Sequence, residues 1–382
     1  MTTPRYVIDL AALRRNLEIL SKVKQDAECK IVLALKGYAL WKSFPLIRDY
    51  LDGCCASGLW EAKLSQQEFG SHTLTYSPAY KEPELLELLE ISNHLDFNSP
   101  SQWLRFRDLA LKHPRYHSGK LKLGLRINPE HSTGSTPIYD PCAAGSRLGT
   151  TTEQLDGVDL TGITGLHFHT LCEQNSHDLK STLEAIHQKF GHILSRPEIT
   201  WLNMGGGHWI TKPDYDCDLL VKLIRETKQR YQLEDVWLEP GEAIAIHTGV
   251  LEASVLDIVT NAGQHIAILD VSATCHMPDV LEMPYRPDVI GPNGLAATAS
   301  GQHLYRLGGP SCLAGDVIGD YAFSNPLKVG DKLTFDDMAH YTMVKTTTFN
   351  GVPHPAIALK HEDGSIECLR EFGYHDFRDR LC

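Results

Sequence analysis

From residue 30 to about residue 248, short apolar runs alternate with amphipathic stretches, and few folds accommodate that pattern. Parallel strands covered on both faces read as continuous apolar runs, and each needs a helical crossover to reach the next. The runs are Lys30 to Lys36, Gly53 to Ser57, Thr73 to Ser77, His94 to Asn98, Lys120 to Asn128, Gly162 to Thr170, Ile199 to Gly205 and Val236 to Pro240. Helical periodicity lies between most of them, as in Glu84 to Ser92, Ser101 to Lys112, Ser176 to Leu194 and Cys217 to Tyr231. Pro83 and Pro100 fall where first helical turns begin, and Ser176 or Asp178 is the expected cap of the helix that follows. Eight strand and helix units predict an α/β fold, a TIM (β/α)8 barrel.

After about Gly249 the alternation stops. The runs Val250 to Val259, His265 to Val271, Asp331 to Phe335, Val344 to Phe349, Ala356 to Lys360 and Ile366 to Leu369 are β-rich and separated by turn residues. They predict a C-terminal β domain. The opening run Tyr6 to Asp9, ahead of a helical stretch from Leu10 to Lys24, is a candidate partner strand for that sheet. The expected division is a barrel over 28–248 and a β domain from 1–27 with 249–382. Gly134 to Ser146 and Pro284 to Ser300 read as loops.

Composition excludes several classes of function. No apolar stretch approaches the roughly 20 residues that cross a bilayer, and the first ten residues lack a basic segment followed by an apolar one. A cytoplasmic chain with no membrane partner is expected. The net charge of -12 opposes a nucleic-acid groove. Ten cysteines, none in a CxxC pair, read as reduced thiols, and their spacing offers no metal site.

In a barrel, the C-terminal strand ends share one rim, where the chemistry of the loops gathers. Lys36 closes the first strand. A strand-end lysine ordinarily packs its stem and sends its ammonium to water. Burial there lowers its pKa, however, and a neutral lysine forms a Schiff base with a carbonyl, including the aldehyde of pyridoxal phosphate. On the same rim, His169 ends the sixth strand, Gly205, Gly206 and Gly207 follow the seventh and Glu239 ends the eighth. Consecutive glycines bend sharply and leave N–H groups for an anion, and barrels often bind phosphate after strands seven and eight. A carboxylate such as Glu239 can keep a pyridine nitrogen protonated, and an imidazole such as His169 can stack on a planar ring. His167, two residues earlier on the same side, reads as structural. In the β domain, Cys312 lies among Gly, Pro and Ser residues, where a loop thiol can donate a proton. The Tyr341 hydroxyl is a candidate phosphate contact.

Together, Lys36 in Ala34-Leu35-Lys36, His169 in His167-Phe168-His169, Gly205 to Gly207, Glu239-Pro240-Gly241, Gly309-Pro310-Ser311-Cys312 and Tyr341-Thr342 resemble the fold-type III pyridoxal-phosphate decarboxylases, which include ornithine and diaminopimelate decarboxylases. The resemblance spans nearly the whole chain and implies the alanine-racemase and ornithine-decarboxylase architecture. It implies pyridoxal 5'-phosphate attached at Lys36, with His169 on its ring, Gly205 to Gly207 and Tyr341 at its phosphate and Glu239 at its nitrogen. It also implies a head-to-tail homodimer with shared active sites, in which Cys312 is the proton donor and Asp316 is likewise supplied across the interface.

Two departures from the diaminopimelate enzymes bear on substrate. Glu242 stands where they have an arginine after Glu-Pro-Gly, and Asp279 in Met277-Pro278-Asp279 stands where they have a carboxylate-binding arginine. A bidentate grip on a distal carboxylate is lost, and acids in its place favour an amine-bearing tail. Ser272 to Asp279 and Gly309 to Asp316 resemble the branch that acts on carboxylated polyamines, which implies conversion of carboxynorspermidine or carboxyspermidine to norspermidine or spermidine. Glu242, Asp279 and then Asp316 are the expected tail contacts. Diaminopimelate or ornithine decarboxylase, a racemase, and a pyridoxal-phosphate carrier are the alternatives; the carrier would lack the second domain.

Overall fold

A computed structural model describes residues 2–382. The chain divides into two compact units, Arg15–Ile244 and residues 2–14 with Ala245–Cys382. The division falls at 14/15 and 244/245 instead of the expected 27/28 and 248/249, because the helix Leu10–Ala27 straddles it. Leu17, Leu20 and Val23, on one face of that helix, are buried in the first unit.

The first unit is a closed barrel of eight parallel strands: β2 (Lys30–Ala34), β3 (Gly53–Ala56), β4 (His72–Tyr76), β5 (His94–Phe97), β6 (Lys122–Arg126), β7 (Gly165–His167), β8 (Trp201–Asn203) and β9 (Asp235–Leu238), with β2 paired to β9. Each strand except β4 is shorter than its apolar run. The chemistry-bearing residues stand just past the strand ends: Lys36 is in a turn after Ala34, His169 follows His167 by two residues, and Glu239 follows Leu238 directly. The helices Ser176–Leu194 and Cys217–Tyr231 match their expected bounds. The former is capped by Asn175, with Asp178 completing a reciprocal capping box, so neither Ser176 nor Asp178 is the cap itself.

Inside the barrel, residues alternate inward along each strand, giving two superposed layers. The lower layer is aromatic. Trp201 and Trp237 pack with Val32 and Leu74, and the His94 ring lies 4.6 Å from Trp201 and 4.9 Å from Trp237. Gly124 and Gly165 are paired in register, and a β-carbon on either would overlap the Trp201 indole. The two glycines therefore make the space that Trp201 fills.

The second unit is a nine-stranded sheet. Along it run β14 (Val317–Phe323), β13 (His303–Gly308), β11 (Gln264–Leu269), β10 (Gly249–Asn261), β1 (Arg5–Asp9), β16 (Ala356–Lys360) and β17 (Ile366–Arg370); β15 (Lys332–Phe335) pairs with β10 and with β12 (Val289–Ile290). The opening strand joins this sheet as expected, antiparallel to β10 and parallel to β16. Val344 to Phe349, expected as a strand, instead contains a short turn of 3-10 helix at Met343–Lys345. Strands β12, β13 and β14 were not expected. A core of Tyr6, Leu251, Leu307, Phe335 and neighbouring buried residues lies within this unit.

Gly165→Ala should lower stability by about 1–3 kcal/mol, the usual cost of overpacking a filled core, as read from a urea unfolding midpoint. Gly58→Ala, where an added methyl meets open space on extended backbone, should stay within about 0.5 kcal/mol of wild type.

Candidate active site

Two residues beyond five members of the lower layer, the alternation brings polar side chains to the same inner side. Asp96 follows His94, Arg126 follows Gly124, His167 follows Gly165, Asn203 follows Trp201 and Glu239 follows Trp237, and all five are buried. The turn carrying Lys36 is fixed against this layer. The Ala34 N–H donates to the Pro240 carbonyl at 3.0 Å, and Gly241 lets its backbone lie against Ala34 and Gly37.

The Lys36 side chain is open to small molecules on one side, yet protein surrounds it closely enough to hold its pKa below that of a free lysine. Burial is the main cause; the Arg126 charge adds to it, while Cys55 and Glu239 oppose it. Its Nζ lies 3.4 Å from His169 Nε2. His169 Nδ1 accepts from the Gly206 N–H at 2.8 Å, so the proton of a neutral ring belongs on Nε2. Burial, with Lys36 and Arg126 nearby, holds the ring neutral. The Nε2–H then faces an amine nitrogen with a lone pair, which only the unprotonated lysine has. Geometry and electrostatics both favour the unprotonated form of Lys36.

Glu239 is a buried carboxylate with several donors. Asn203 Nδ2 donates to its Oε1 at 2.6 Å, the Cys55 thiol is hydrogen-bonded to it, and His167 Nε2 lies 3.5 Å from Oε2. His167 Nδ1 is 2.9 Å from Asp96 Oδ2, although neither ring nitrogen has a partner in hydrogen-bonding alignment. Burial pushes Asp96 up to about 8 and His167 down to about 4, so it disfavours the charged form of each. Arg126 donates to the His169 carbonyl at 3.3 Å and lies 4.5 Å over the Tyr76 ring. Sequence reasoning missed Asp96, Arg126 and Asn203 as parts of this layer. Their signal was a charged or amide side chain inside an apolar strand run, where an unpaired polar group is costly.

Gly205 and Gly207 hold left-handed backbone, at φ 70° and 80°, and a β-carbon on Gly205, Gly206 or Gly207 would strike the carbonyl of Phe168, Glu239 or Leu171 respectively. The run is therefore restricted to glycine by close backbone approach. Two of its amides serve the protein itself: Gly205 N–H donates to Asn203 Oδ1 at 2.9 Å, and Gly206 N–H to His169. Gly207 donates no bond of this kind among the described residues. An amine of lowered pKa, an adjoining imidazole, a glycine-only cradle and a buried carboxylate fit the aldehyde, ring, phosphate and pyridine nitrogen of pyridoxal phosphate.

The other expected site residues lie in the second unit, apart from Glu242, which is half-buried at the start of the short helix Glu242–Ala245. Cys312 is exposed, and its N–H donates to Asn350 Oδ1 at 2.8 Å. Tyr341 is half-buried with left-handed backbone at φ 49°. Asp279 begins the helix Asp279–Glu282 and is ion-paired with Lys345. Asp316, expected as a tail contact, is buried and braces its own loop instead. It accepts from Ser272 Oγ at 2.8 Å and from the N–H groups of Thr274 and Ser311 at 3.3 Å each. Among the described residues no cluster of ligands suited to a metal ion occurs.

Residues 6–339 match the family described as pyridoxal-dependent decarboxylase, C-terminal sheet domain. The chain is 47% identical over its whole length, and 96% of the relative's, to a carboxyaminopropylagmatine decarboxylase of Synechocystis sp.. It is 42% identical to a carboxynorspermidine/carboxyspermidine decarboxylase of Campylobacter jejuni, covering 98% of this chain and 97% of the relative. The crystal structure of a carboxynorspermidine decarboxylase complexed with norspermidine, also from Campylobacter jejuni, superposes over all of both chains with a TM-score of 0.89 and 40% identity.

The histidines of the barrel interior give acid sensitivity a direction. Burial holds His94 at about 3 and His167 at about 4, against 6.5 when unfolded, so below pH 6.5 the unfolded chain binds more protons. Their contribution is complete above pH 6.5 and is lost as pH falls toward 4. Urea midpoints measured across that interval should fall, and His94→Asn should flatten the fall relative to wild type; parallel slopes would contradict the assignment.

Proposed function

The chain belongs to the pyridoxal-dependent decarboxylases, and on that premise we propose that it decarboxylates a carboxylated polyamine, carboxynorspermidine or carboxyspermidine, to norspermidine or spermidine. The observation that carries the reaction is the Lys36 amine, its pKa lowered by burial, beside His169 and within electrostatic reach of the buried Glu239. Full-length relatives named for such substrates, together with acids at 242 and 279, support the substrate class.

When bound, pyridoxal phosphate supplies the sink for the electron pair left as the carboxylate departs. Lys36 is the residue that would attach it, and its amine would give up that place to the substrate's α-amine. The glycine run and Tyr341 would hold the phosphate, and His169, fixed through Nδ1 by Gly206, would lie against the ring. Glu239, steadied by Asn203, would hold a proton on the pyridine nitrogen. The Cys312 thiol would return a proton to the carbon that lost carbon dioxide. Glu242 and Asp279 would receive the cationic tail. The exposed run Cys312 to Gly315 supports a homodimer in which a second copy covers that loop. Ten free cysteines support a reducing, cytoplasmic setting, and no described helix is long and apolar enough to cross a membrane.

A second substrate of the same class is carboxyaminopropylagmatine, favoured by the name of the Synechocystis relative. Its guanidinium would suit the same carboxylates. Carbon dioxide release from the two carboxylated polyamines, carboxyaminopropylagmatine, diaminopimelate, ornithine and arginine decides between these readings. A polyamine-class substrate should lead by a hundredfold or more in kcat/KM; release only from diaminopimelate or ornithine would refute the proposal. Borohydride should fix the cofactor to the wild-type protein and not to Lys36→Ala, which should be inactive. Glu239→Gln should lower kcat by about a hundredfold, the scale of an electrostatic contact at a reacting group.

A further inference from the structure

Lys345, in the turn Met343–Lys345, directs its ammonium at two carboxylates of the helix Asp279–Glu282. It donates to Asp279 Oδ1 and, at 3.1 Å, to Glu282 Oε2. The two acids are three residues apart and share one helical face. Side-chain exposure is 19% for Asp279, 30% for Lys345 and 50% for Glu282, so the Asp279 end is the drier one. Burial alone would lower the lysine's pKa, but bonds to the two carboxylates more than reverse it, and the amine is a full cation.

We propose that Lys345 is a built-in counter-ion which the substrate's cationic tail displaces from Asp279, and that it thereby sets specificity for tails with more than one positive centre. This rests on the reading of Asp279 as a tail contact. A lysine ammonium on a four-carbon stem is chemically the terminus of a polyamine, and it already occupies the acidic pair. Exchanging one ammonium for another changes little in charge, so a tail with a single cation gains almost nothing by the exchange. With Lys345 seated, the cluster carries one net negative charge; with its long stem swung to water, it carries two. Only a tail bringing a second cation uses both. Single-ammonium amino acids such as ornithine are disfavoured by this arrangement without any steric block, which is discrimination by competition instead of by shape.

Steady-state kinetics of the purified holoenzyme on the carboxylated polyamine it turns over best will test this. Lys345→Met should lower KM about fivefold, with the effect in KM instead of kcat, and should steepen the rise of KM with salt because one more carboxylate charge is uncompensated. Ornithine turnover should improve by at least as much. Lys345→Arg should stay within twofold of wild type, and Lys345→Met should have no effect in an Asp279→Asn background. A Lys345→Met enzyme with raised KM, or with lowered kcat and Tm, would make Lys345 structural and overturn the inference. If Asp279→Asn leaves KM unchanged, the tail reading of Asp279 fails and this inference with it. If Asp279→Asn raises KM but Lys345→Met does not lower it, this inference alone fails.

Discussion

A closed eight-stranded barrel has room inside for side chains and little else, and here the lower of its two layers is filled by Trp201 lying across Gly124 and Gly165. That packing closes the barrel beneath the polar layer. Asp96, Arg126, His167, Asn203 and Glu239 are consequently enclosed by protein below and around them, and water approaches only from the rim. Desolvation then decides which of them can carry charge. Burial is likewise the main cause of the lowered Lys36 pKa.

The consequences differ along the layer because each group has different partners. Asp96 and His167 lie 2.9 Å from one another, and burial disfavours charge on both. Arg126 does add one. Its charge reaches both Lys36 and His169 and favours the unprotonated form of each. Glu239, beneath Lys36, opposes that effect on the lysine, yet receives enough donors from Asn203 and Cys55 to remain a buried acceptor.

The barrel was legible because buried parallel strands leave continuous apolar runs, and Lys36, His169, Gly205 to Gly207 and Glu239 could be aligned on one rim by counting those runs. The second unit was less legible. His303–Gly308 carries Arg306 and His303 among its apolar residues, and its pairing with β14 is set by register over a distant turn, which periodicity does not encode. Val344 has the β-branched neighbours of a strand, but the chain there turns to bring Lys345 to the acids at 279 and 282, a long-range contact that overrides local propensity. Asp316 shows the same limit. The family resemblance pointed to it as a tail contact, while the Ser272 hydroxyl and two backbone amides that donate to it are visible only in three dimensions.

Substrate choice in such a site cannot rest on charge alone. A carboxylate half open to water and already paired with a lysine discriminates weakly between one ammonium and another. One methylene, the difference between carboxynorspermidine and carboxyspermidine, is worth only about 1–3 kcal/mol even in a fitted apolar pocket. A tail of several cations at fixed spacing escapes both limits, because each added centre must meet its own acid and the energies compound. A guanidinium adds a planar, bidentate demand on the same carboxylates that an ammonium does not make. The distinction between amine and guanidine tails is therefore the larger one physically.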